Sequence, residues 1–126
     1  MENIVQRIYG KKSQIGELKF IRGINKMDRT NALNVCEEYL HQVWCMENMK
    51  DGGVFALYGL EKHRVDLHDY LCALLKIDHV KSKKILSYLD EKIGFDFSKT
   101  PSENDLKYYA DKLLNLLIGE KEKGNI

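Results

Sequence analysis

Two helix-period apolar patterns meet between residues 67 and 94, LHDYLCALLKIDHVKSKKILSYLDEKIG, across a turn with room for only two or three residues. Leu67, Leu71, Leu74 and Leu75 recur at the three- and four-residue steps that place side chains on one helical face, and Ile85, Leu86, Leu89 and Ile93 do the same for a second helix. A link this short makes the two helices spatial neighbours. The spacing predicts helices from about Glu61 to Ile77 and from about Val80 to Ile93, with Asp78 and His79 between them.

The flanking segments extend the pattern. Leu33, Cys36, Leu40, Val43 and Trp44 form a stripe that predicts a helix from about Thr30 to Lys50, capped by Asp28 or Thr30 and ended by Gly52 and Gly53. Val54 to Leu60 is a short apolar run that fits strand or helix by period alone, and it is read as leading into the next helix. Near the C-terminus, Thr100, Pro101, Ser102 and Glu103 read as a capping box that starts a helix at Pro101. Leu106, Tyr109, Ala110, Leu113, Leu114 and Leu117 give that helix its apolar face, Gly119 its stop, and Glu120 to Ile126 a fraying tail.

Residues 1–27 fit either a helix or a short strand, with Gly10, Gly16 and Gly23 interrupting both. The expected fold is a single all-α domain, a compact bundle of four or five helices with room for a short strand near the N-terminus. Its expected core comprises Leu33, Leu40, Val43, Trp44, Leu71, Leu74, Leu86, Leu89, Leu106, Leu113 and Leu117.

A chain of 126 residues is long enough to bury roughly two thirds of its unfolded surface. With 44% hydrophobic and 31% charged residues it belongs with folded domains and not with disordered chains. Cys36, Cys45 and Cys72 are odd in number and lie in helix-like segments, so they are expected to be reduced thiols in a cytoplasmic protein. No apolar run approaches the ~20 residues of a membrane span, and no membrane partner is expected. Net charge is only +1, too little for bulk attraction to nucleic acid. Its distribution is uneven: residues 1–29 carry seven Lys or Arg against three acids, whereas residues 30–66 carry three against six.

The run from Leu71 to Asp78, followed by His79 to Lys84 and by Ile85 to Gly94, resembles the helix-turn-helix of small bacterial winged-helix regulators. In that family the second helix enters the DNA major groove. The resemblance implies that His79, Lys81, Lys84 and Tyr88 face DNA with Ser87 beside them, and Lys11, Lys12 and Arg22 of the basic arm would assist. Three positions depart from the pattern. Lys76 stands where the turn usually has glycine, Ser82 where an apolar residue usually anchors the second helix, and Gly94 to Phe97 make a poor start for a wing.

Other chemistries are less well provided for. His41 with Cys45, and His68 with Cys72, stand four apart on two helices and together could complete a tetrahedral zinc site, although their spacing is not that of a Cys-x-x-Cys knuckle. Glu37 and Glu38 beside His41 lack the second Glu-x-x-His of a carboxylate metal site. Gly52 and Gly53 lack the spaced lysine of a phosphate loop. No catalytic set, cofactor or small-molecule substrate is therefore expected. Tyr39, Trp44, Met46 and Met49 suit a partner surface as well as a core. The expected function is that of a small non-enzymatic regulator or adaptor that binds another protein or itself, with DNA binding through residues 79–88 as the alternative.

Overall fold

Leucine, lysine and glutamate lose little rotamer freedom in a helix, and only Pro101 is barred from a helix interior. The computed structural model describes residues 26–48 and 54–126, and all their regular structure is helical. The elements are α1 (Lys26–Asn48), α2 (Val54–Leu75), α3 (His79–Leu86), α4 (Leu89–Ile93) and α5 (Glu103–Glu122). The basic arm with Lys11, Lys12 and Arg22, the strand allowed near the N-terminus, Met49, Gly52 and Gly53 all lie outside the described residues.

The long helix α1 lies at the centre and packs along both α2 and α5. It buries Ala32, Val35, Cys36, Tyr39 and Leu40, a stripe at three- and four-residue steps. Opposite it stand Leu67, Leu71 and Leu75 of α2 and Ala110, Leu113, Leu114 and Leu117 of α5. Each fully buried leucine contributes roughly 2 kcal/mol. The short α3 and α4 close one end through Leu86, Leu89 and Ile93, with Phe95 following.

Long polar side chains fasten the helix ends. Arg29 of α1 donates to Asn115 at 3.0 Å and pairs with Asp111 at 3.5 Å, both on α5. Asn48 donates to the carbonyls of Trp44 at 2.9 Å and Phe97 at 3.0 Å. Lys121 Nζ donates to the Leu75 carbonyl at 2.7 Å, placing a cation where α2 leaves its last carbonyls unpaired.

Of the expected core, Leu40, Leu71, Leu86, Leu89, Leu113 and Leu117 are buried, while Leu33, Val43, Trp44, Leu74 and Leu106 are half-buried and pack against them. Several boundaries differ from the sequence reading. The helix α1 begins at Lys26, so Asp28 lies in its first turn and does not cap it. In α5 the capping residue is Ser102 and not Thr100: its Oγ accepts from the Asp105 N–H at 3.0 Å, and the Asp105 carboxylate accepts from the Ser102 N–H at 3.2 Å. Aspartate at the third position closes the box as glutamate would, and Pro101 precedes the cap. Gly119 does not stop α5, which runs on to Glu122; the left-handed Gly124 ends it, and Ile126 packs back on the core.

The most consequential difference is that the helix expected over 80–93 is two. The Tyr88 backbone takes φ −116° and ψ 38°, and α3 stops at Leu86. At the break the Ser87 hydroxyl donates to the Lys84 carbonyl at 2.7 Å, the local competition through which serine weakens helix interiors.

Candidate nucleic-acid interface

The turn between α2 and α3 is Lys76, Ile77 and Asp78. Lys76 adopts φ 56°, the left-handed conformation that glycine usually supplies at a helix C-terminus. The Ile77 N–H reaches back to the Cys72 carbonyl at 3.1 Å, the six-to-one bond of a Schellman ending, and the Ile77 side chain is buried. Asp78 caps α3, its carboxylate accepting the Lys81 N–H at 2.9 Å, and that backbone bond holds its pKa below the usual carboxylate range.

Ser82 occupies the anchor position of α3 and is 0% exposed. Its hydroxyl lies 3.0 Å from Nε2 of His68, which is also buried, and the Cys72 thiol lies 3.4 Å from the same nitrogen. Burial lowers the basicity of His68 and raises the Cys72 thiol to about 11, so at neutral pH the ring is neutral and the thiol protonated. A neutral imidazole nitrogen accepts the serine proton, and the polar anchor is satisfied. The first two departures from the helix-turn-helix pattern are thus accommodated, one by backbone geometry and the other by a partner on the facing helix.

Outward from this anchor α3 exposes Val80, Lys81, Lys83 and Lys84. At 100° per residue, Lys81 and Lys83 flank Lys84 by about 60° and 100° on opposite sides. Val80 is 65% exposed, and Tyr88, just past the helix end, is 53% exposed. Lys81, Lys84 and Tyr88 therefore stand free of α5. Two residues of the expected set are engaged within the chain. His79 Nδ1 lies 3.1 Å from a carboxylate oxygen of Asp69, and the Ser87 hydroxyl is held by the Lys84 carbonyl.

Sequence reasoning missed Lys83 and Arg64. Arg64 lies four and eight residues before His68 and Cys72, on the same face of α2, and that spacing is the signal that could have found it. Two clefts flank the joint. One is lined by Val65, His68, Asp69, His79 and Val80, the other by Tyr39, Val43, Met46, Leu86 and Phe97 among others; Arg64 and Lys83 line both.

The remaining sequence candidates fall elsewhere. His41 and Cys45 are a pair 3.8 Å apart on the outer part of α1, while His68 and Cys72 belong to the α2–α3 joint. Among the described residues no three His, Cys, Asp or Glu side chains form a group that could hold a metal ion, so the two pairs do not complete a zinc site. Tyr39 is 3% exposed and belongs to the core, because the buried stripe of α1 runs through it. Trp44 and Met46 are half-buried, and Trp44 Nε1 is the one buried side-chain polar atom among the described residues without a hydrogen-bond partner. No described helix is long and apolar enough to cross a membrane. No protein-family model, curated protein or solved structure matches the chain.

Proposed function

We propose that the chain is a non-enzymatic binding protein whose working surface is the outer face of α3, and that duplex DNA is its ligand. The observation that carries the reading is the exposure of Lys81, Lys83 and Lys84 around one short helix whose opposite side is anchored by Ser82. Phosphate contacts need cations on both flanks of an inserted helix, with polar or aromatic groups beside them, and Tyr88 supplies the latter. Asp78 occupies the positive end of α3, so phosphate is met by side chains and not by the helix terminus.

A second reading, a regulator or adaptor that docks on another protein, is favoured by the apolar surface of Val80 and Tyr88 among the lysines. Salt separates the two. Three phosphate contacts make affinity fall about 40-fold between roughly 50 and 200 mM salt, whereas apolar docking changes little. Retention on duplex DNA with this slope, reduced by Lys84→Gln in a chain that still folds, is the expected result. Absence of retention at ~50 mM salt, where nonspecific affinity is strongest, overturns the DNA reading.

A further inference from the structure

Arg64 and Lys83 come from different helices, yet both side chains line both clefts at the α2–α3 joint, so their cationic ends share the ridge between them. Arg64 is held in place. Its side chain is only 17% exposed, and its guanidinium lies within hydrogen-bonding reach of the buried Tyr39 hydroxyl. Its one ion pair among the described residues is to the exposed Glu61 at 3.9 Å, and Lys83 makes none. The nearest acid on the α2 side, Asp69, is taken up by His79. Two like charges brought to one ridge repel unless an anion lies between them, and burial of one strengthens that effect.

We propose that Arg64 and Lys83 form a two-helix clamp for a single phosphate of the duplex backbone, an inference that rests on the DNA binding proposed above. The planar guanidinium offers two parallel donors to phosphate oxygens and the lysine adds a point charge from the neighbouring helix. Lys83 flanks Lys84 on the side of α3 where Arg64 stands, so a strand edging the groove entered by α3 passes over the ridge. The clamp also ties binding to the α2–α3 joint, since its two halves hold position only while His68 and Ser82 keep the helices together.

The test is duplex affinity across a salt series for the full chain, with Lys84→Gln, Lys83→Gln, Arg64→Lys and the Arg64→Lys/Lys83→Gln double variant. Lys83 is exposed, so its variant reports on binding and not on folding. The clamp predicts that Lys83→Gln lowers the salt slope by about 0.9. Arg64→Lys, which keeps charge but loses the fork, weakens binding roughly fivefold or more at nearly constant slope. The double variant loses less than the product of the two, because both act on one phosphate. If Lys84→Gln weakens binding while Lys83→Gln does not, the clamp is overturned and the DNA reading stands. If the unaltered chain does not bind duplex at all, the DNA reading is overturned and the clamp falls with it. Displacement of the duplex by polyglutamate as readily as by free duplex assigns the ridge to carboxylates and overturns the phosphate assignment.

Discussion

Ser82 and His68, fourteen residues apart in sequence, meet at 3.0 Å in the interior and join α3 to α2 through a single hydrogen bond. Each would be a misplaced polar group without the other. Ser82→Ala removes one oxygen and leaves a buried imidazole nitrogen with only the weaker thiol contact, so it should cost about 1 to 3 kcal/mol. Urea denaturation with an unchanged m-value checks this, and a loss indistinguishable from zero would show that the bond does not hold the joint.

The same histidine makes stability depend on pH. Burial lowers its pKa beneath the ordinary 6.5, with Arg64, Lys83 and His79 acting in the same sense and Asp69 against it. The unfolded chain thus takes up a proton below 6.5 that the folded chain refuses. The His68 contribution is complete above that pH and is lost progressively as pH falls below it. Melting temperature should drop on acidification from pH 7 towards pH 5, and His68→Gln should flatten that part of the profile. An identical profile in the variant would assign the acid sensitivity to other groups.

Lys76 takes a left-handed conformation without the freedom of glycine. Lys76→Gly should therefore stabilise the fold by about 1 kcal/mol, the relief of strain exceeding the entropy glycine adds to the unfolded chain. Lys76→Val should destabilise it, since a β-branched side chain tolerates positive φ worst. Thermal melts of the two variants should bracket the parent chain; the reverse order would place Lys76 outside the left-handed region in solution.

Thiol labelling followed by mass spectrometry should modify Cys45 first. Cys36 is fully buried and its thiol is pushed far above the ordinary range by that burial, while Cys72 is buried with a thiol raised to about 11. Cys45 is half-buried, its thiol raised by partial desolvation and by Glu38, so its labelling should be slow but should not require unfolding. Labelling of Cys36 or Cys72 at the Cys45 rate in native buffer would contradict the packing of α1 against α2.

Periodicity made α1, α2 and α5 legible, because their stripes are long and continuous. It also hid the break at Ser87 and Tyr88: Leu86, Leu89 and Ile93 keep three- and four-residue spacing straight across it, and only the serine hydroxyl betrays the stop. The cap of α5 was misplaced by two residues because proline at a first helical position and proline just before a cap leave similar sequence marks. The role of Tyr39 was obscured by the neighbouring Leu40, which satisfies the same stripe. At the site, the lysines could be placed on a face from the wheel alone. The pairing of Ser82 with His68 and the approach of Arg64 to Lys83 are contacts between helices, which local pattern does not encode.

The eight residues of α3 rise only about 12 Å, and on the proposed DNA reading that length faces three or four base pairs at about 3.4 Å each. A word that short recurs by chance about once in a few hundred base pairs, too often to serve as an address in a genome. The break at Tyr88 therefore sets an upper limit on what one copy can discriminate, and selectivity beyond it has to come from a second copy reading an adjoining word or from the bendability of the sequence between.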